Sequence, residues 1–183
     1  MNIKLFIALN FYNEVKAQII DVINKVKANS IQGNFVNEEH IHLTVEFLGE
    51  IQNNKLDLIK EMMDELESGA FTIRLSKIGY FKRREGNIYW LGIEDNDTLF
   101  KINSKIHQSL IDKGFVLEDR EYKPHITIGR KVILKDSFNT NELDDIVDKI
   151  EIEINNVDLM KSEFVNGKLI YSILYSKLLN HKN

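Results

Sequence analysis

Two stretches decide how this 183-residue chain is read: His42-Leu43-Thr44-Val45-Glu46-Phe47-Leu48-Gly49 and Pro124-His125-Ile126-Thr127-Ile128-Gly129-Arg130. From Ile41 to Phe47 apolar and polar residues alternate, the period-two signature of a half-buried strand. The second stretch alternates in the same way after the chain's single proline. Residues i and i+2 on a strand project from one face. His42 and Thr44 therefore point together, and so do His125 and Thr127. The chain has only five His and five Thr, so two His-x-Thr matches on strands are a specific signal.

The flanking sequence supplies the rest of the fold. Ile3 to Leu9 reads as a first strand, and Asn13 to about Asn29 as a helix with Val15, Ile19, Val22, Ile23 and Val26 on one face. Ile31 to Glu39 is polar and reads as loop. A second helix opens at Asn53 or Asn54 and closes before Gly69. Phe71 to Ile78 and Ile88 to Ile93 form a hairpin around Lys82-Arg83-Arg84-Glu85-Gly86-Asn87, and a third helix runs from about Asp97 to Lys113 before Gly114. Tyr122 to Arg130 is a strand, and Asn141 to Lys149 a short helix. Ile150 to Phe164 and Leu169 to Leu178 pair around Asn166-Gly167. The order is β-α-β-α-β-β followed by α-β-α-β-β. The second half repeats the first without its opening strand, a pattern that reads as two similar lobes packed directly on each other. The whole chain, 1–183, reads as one bilobal domain, with lobes of about 1–93 and 94–183.

Composition narrows the function. Without cysteine there are no disulfides, thiolate nucleophiles or Cys-ligated metals. The net charge of −4 argues against a general DNA or RNA coat, though not against a small basic pocket for one phosphate. No stretch reaches the roughly 18 apolar residues of a membrane span. The N-terminus lacks the basic and apolar regions of a signal peptide, so the expected compartment is the cytoplasm. Nothing demands more than a monomer.

If a pseudo-twofold axis relates the lobes, the two pairs face one cleft, and two imidazoles with two hydroxyls around one space suit a specific chemistry. An imidazole with a pKa near the ordinary value of about 6.5 can give or take a proton at neutral pH. One ring can deprotonate a nucleophile while the other protonates a leaving group. Threonine hydroxyls can hold phosphate oxygens. Opening a cyclic phosphodiester needs an acid, a base and oxyanion contacts, and no metal. Neither histidine has a second ligand at usual spacing except Glu46, so no metal site and no cofactor is expected.

These residues resemble the paired signatures of the two-histidine (2H) phosphoesterases, and within them the bacterial RNA 2′,3′-cyclic phosphodiesterases, also called 2′-5′ RNA ligases. Phe6-Ile7-Ala8-Leu9, Trp90-Leu91-Gly92 and Ser162 to Tyr171 fit flanking strands. The resemblance implies an α+β fold of two pseudo-symmetric lobes of antiparallel sheet, with helices outside and a central active-site cleft, and metal-independent hydrolysis of RNA or nucleotide 2′,3′-cyclic phosphates to 2′-phosphates. His125 would activate the water and His42 would protonate the departing 3′ oxygen. Thr44 and Thr127 would bind the phosphate, and Arg130 would add positive charge. Ligation of 2′-5′ ends would accompany it as a side activity. The expected ligands are RNA ends or small nucleotides carrying a cyclic phosphate. Rival readings are a cyclic phosphodiesterase for another nucleotide, such as an ADP-ribose cyclic phosphate, and a nucleotide-binding module without turnover.

Other residues carry weaker expectations. Alternation places Glu46 on the face of His42 and Thr44, along the cleft, where its carboxylate would repel an anion. The same parity puts Phe47 in the core. Tyr171 belongs near the cleft, while Tyr89 and Trp90 read as core aromatics that could stack on a base. His40 sits at the cleft rim; His107 and His181 read as incidental. Lys82-Arg83-Arg84 reads as a solvated hairpin tip, with an RNA contact as the minority reading.

Overall fold

The computed structural model describes residues 2–180. The elements are β1 (Asn2–Asn10), α1 (Asn13–Ala28), β2 (Ser30–Phe35), β3 (His42–Gln52), α2 (Leu56–Asp64), β4 (Phe71–Phe81), β5 (Asn87–Ile93), α3 (Asp97–Asp112), β6 (His125–Leu134), α4 (Asp144–Val147), β7 (Glu151–Ile154), β8 (Asn156–Val165) and β9 (Lys168–Leu178). They build two antiparallel sheets. One has the order β3-β1-β8-β9, the other β2-β6-β5-β4-β7. No helix among the described residues is long and apolar enough to cross a membrane.

β1 explains why the first sheet forms. Leu5, Phe6, Ile7, Ala8 and Leu9 are all buried, as on a strand covered on both faces and paired on both edges. β3 takes one edge of β1 and β8 takes the other. β8 and β9 meet at Asn166 and Gly167, whose φ of 51° and 77° suit a two-residue hairpin turn. Helix α3 begins where the Asn96 side chain accepts the Leu99 N–H at 3.0 Å, and it ends before Gly114 at φ 80°.

The lobes do not divide at residue 93. The first sheet takes β1 and β3 from one end of the chain and β8 and β9 from the other. The physical reason is edge pairing. The C-terminal hairpin has no opening strand of its own and adds to the free edge of β1. The segment expected as loop also joins a sheet: β2 pairs antiparallel with β6, placing Phe35 opposite Gly129. Its four central residues are exposed, so backbone pairing rather than burial makes it a strand. One apolar cluster runs through both sheets, joining Leu5, Ile7 and Leu9 of β1 with Ile73, Leu91 and Ile126 of the second sheet.

Candidate active site

β3 brings His42 and Thr44 to the cleft opposite Asn10 and Ala8 of β1. The ladder then slips. Thr44 pairs with Ala8 and Glu46 with Ile7, so Val45 is an extra residue, a β-bulge. One added residue reverses the facing of the residues that follow, here Glu46 and Phe47, before the ladder slips again at Leu48. Glu46 now stands opposite core residue Ile7, and Phe47 stands opposite Phe6 on the cleft side, their rings 6.3 Å apart. Both expectations for this pair are corrected. Phe47 is exposed at 45% and is not core. Glu46 leaves the cleft, and its carboxylate lies 2.7 Å from Nδ1 of His107 on α3. His107 thus has a structural partner that sequence reading missed.

β3 is an edge strand, and the bulge leaves carbonyls that a ladder would satisfy. Two side chains take them. Buried Asn103 donates to the Val45 carbonyl at 2.8 Å, and the Tyr122 hydroxyl donates to the Thr44 carbonyl at 3.2 Å. Burial pushes the Tyr122 phenol up, which keeps it protonated and able to donate.

His42 sits in an aromatic corner. Its ring centroid is 5.1 Å from Phe6 and 5.3 Å from Tyr171, the latter edge-on at 88°. Tyr171 also packs on His40 at 4.9 Å and on Phe6 at 5.1 Å. Nδ1 of His42 lies 2.8 Å from the His40 carbonyl. A carbonyl only accepts, so Nδ1 carries the hydrogen and neutral His42 presents Nε2 as a lone pair. His40 is held in turn, 3.1 Å from the Leu169 carbonyl. Burial lowers the His42 pKa to about 4; the bond to His40 opposes this, and the charges of His40, Arg130 and His125 add to it.

β6 repeats the arrangement. His125 pairs with Gly92 and Thr127 with Trp90. The next pairing is Gly129 with Tyr89, so Ile128 is the extra residue. Strict alternation would give Arg130 the facing of Ile126 and Ile128, both fully buried. The slip returns it to the face of His125 and leaves it exposed. The His125 ring lies 5.3 Å from Phe81, edge-on at 84°, and 6.2 Å from Trp90. Its Nδ1 is 2.6 Å from the Lys123 carbonyl, which fixes the same tautomer as in His42. Burial lowers its pKa, opposed by that bond and reinforced by Arg120 and Arg130.

The site therefore gathers His42, Thr44, His125, Thr127, Arg130 and Tyr171. The charge of Arg130 acts on His42, His125 and Tyr171 together. Phe47, Phe81 and Trp90 join as walls, while Tyr89 is buried. Arg120 lies over the Phe47 ring at 5.2 Å. Among the described residues no group of three His, Asp or Glu side chains could hold a metal ion. His181 lies outside the described residues.

Comparison with known proteins gives this geometry a family. The family described as LigT like Phosphoesterase matches residues 11–90. An RNA 2′,3′-cyclic phosphodiesterase of Thermotoga maritima is 32% identical over 175 residues, spanning 94% of this chain and 93% of its own. One from Methanocaldococcus jannaschii is 32% identical over 179 residues, spanning 93% and 98%. A crystal structure of E. coli LigT complexed with 3′-AMP superposes with a TM-score of 0.82 at 22% identity, over 98% of this chain and 99% of that one. The chain belongs to the LigT-like phosphoesterase family, within the two-histidine superfamily.

Proposed function

We propose that this chain is a cyclic phosphodiesterase that opens the 2′,3′-cyclic phosphate of an RNA end or small nucleotide and leaves a 2′-phosphomonoester. The observation that carries the reading is the paired geometry. Each of two bulged strands carries a tautomer-fixed imidazole and a threonine on one face, Arg130 shares the face of His125, and its charge acts on both rings, which supports a single shared phosphate site. The relatives named RNA 2′,3′-cyclic phosphodiesterase support the substrate class.

His125, nearer solvent, takes a proton from water through Nε2 as the water oxygen bonds to phosphorus. The bond from phosphorus to the 3′ oxygen breaks. His42 delivers the proton from its own Nε2 to that oxygen, and the phosphate stays on the 2′ oxygen. Thr44 and Thr127 donate to the non-bridging oxygens, and Arg130 balances their charge. A 5′-hydroxyl in place of the water would give a 2′-5′ bond by the same steps.

The fold itself holds both rings below their ordinary pKa. The anionic phosphate supplies the charge that lets His42 hold its proton, so substrate and proton bind together. The pH optimum of kcat/KM, which reports the free enzyme, therefore lies acid of the optimum of kcat. Assay of a cyclic-phosphate dinucleotide with chelator present tests the reading. Turnover that persists supports it; turnover that needs a divalent metal contradicts it.

A further inference from the structure

The tip of the β4–β5 hairpin, Lys82-Arg83-Arg84, takes no part in the chemistry described above. All three side chains are exposed. Among the described residues none has a carboxylate within 4.0 Å, and the acid of the same turn, Glu85, is committed to Lys131 at 2.6 Å. The turn itself is held without neutralising their charge. The Arg83 N–H donates to the Asn87 side chain at 3.4 Å, and its guanidinium donates to the Lys82 carbonyl at 2.9 Å. Three adjacent unpaired cations stand out on a chain of net charge −4.

Their place in the fold joins them to the cleft. Lys82 directly follows Phe81, whose ring stands 5.3 Å from His125. The tip is therefore the continuation of the wall beside His125. The hairpin on the other wall, which carries Tyr171, ends differently. At its tip Phe164 and Val165 are exposed, and Lys161 is paired with Glu163 at 2.6 Å. Of the two hairpins, the one on the His125 side offers a run of free positive charge to a strand leaving the cleft.

We propose that Lys82, Arg83 and Arg84 form a phosphate track for the RNA strand on the 5′ side of the reacting nucleotide, so that the protein prefers oligonucleotide ends to mononucleotides. This rests on the cyclic-phosphate reading for the end nucleotide and adds the class of substrate beyond it. The cations contact backbone phosphates and read no base, so the preference is for length, not sequence.

The test is the triple variant Lys82→Ser, Arg83→Ser, Arg84→Ser. Two probes are bound to it and to the unaltered protein: a hexanucleotide ending in a 2′-phosphate, and a nucleoside 2′-phosphate. Turnover of the matching cyclic phosphates is measured alongside. The variant is expected to bind the hexanucleotide roughly tenfold more weakly at about 0.1 M salt, with a log–log salt slope shallower by about 0.7 for each phosphate it no longer neutralises. Binding and turnover of the mononucleotide should not change. Equal weakening for both probes, or none for either, would overturn the track. Tip-dependent hexanucleotide binding without opening of either cyclic phosphate would leave the track standing and overturn the cyclic-phosphodiesterase reading instead.

Discussion

The first register slip after the threonine falls at the same place on each His-x-Thr strand, with Val45 the extra residue on β3 and Ile128 on β6, and each strand slips once more further on. The residue the first slip turns toward the cleft is Phe47 on one strand and Arg130 on the other. The residue before it is Glu46 on one and Gly129 on the other. The backbone device is the same; the chemistry beyond it is not. β3 is an edge strand, and Glu46 with His107, Asn103 and Tyr122 ties it to α3 and the segment after it. β6 lies between β2 and β5, and their ladders serve it. Gly129 has no room for more, since a Cβ there would lie 2.8 Å from Val132 and 3.1 Å from Phe35. Pseudo-symmetry here extends to the bulge and the two catalytic candidates. Beyond them the outer strand uses its side chains for support, and the inner strand uses its own for charge.

The largest test of that comparison is removal of each histidine. If both strands supply one step, His42→Ala and His125→Ala should each lower turnover by roughly 10² to 10⁴. The double variant should lose far less than the product of the two. Near-normal turnover in either would leave that strand a scaffold only.

Arg130→Gln probes the charged half. Its kcat/KM should fall about 10- to 100-fold, the effect of removing one charge-assisted phosphate bond. Burial is the main reason both histidines are held low and the charge of Arg130 adds to it, so both pKa values should rise slightly without it and the pH profile should move a little alkaline. An unmoved profile would separate Arg130 from the two rings.

The buried half has its own signature in stability. The His42 pKa lies below its unfolded value of 6.5, at about 4. Between those values the unfolded chain binds the proton and the folded chain does not. This contribution is present above about pH 6.5 and is lost as pH falls toward about 4, roughly 2 kcal/mol after allowance for solvent screening. Denaturant melts of His42→Gln should show a flatter loss over that window. Parallel curves for variant and parent would place the ring in water.

Glu46→Gln is the smallest test and the sharpest between the two placements of that residue. Tied to His107, it should cost about 1 kcal/mol of stability and leave KM for an RNA substrate unchanged. A KM lowered severalfold at low salt would put the carboxylate back along the cleft.

The two His-x-Thr pairs were legible because alternation holds up to the threonine on both strands. Past it, alternation misled, since a bulge leaves no mark in composition. One signal was present: apolar Val45 and Leu48 stand three apart, and both are buried, which no regular strand allows. β2 escaped notice because its central residues are exposed on both faces and carry no period. The placing of β8 and β9 beside β1 depends on which edge was free, and no local pattern records that.

The most direct measurement is ³¹P NMR of a dinucleotide 2′,3′-cyclic phosphate incubated with the protein and excess chelator. Proton delivery from the β3 side to the 3′ oxygen predicts a single product, the 2′-phosphomonoester, absent when either His42 or His125 is alanine. A 3′-phosphomonoester, or the same product at an undiminished rate from either alanine variant, would contradict the account.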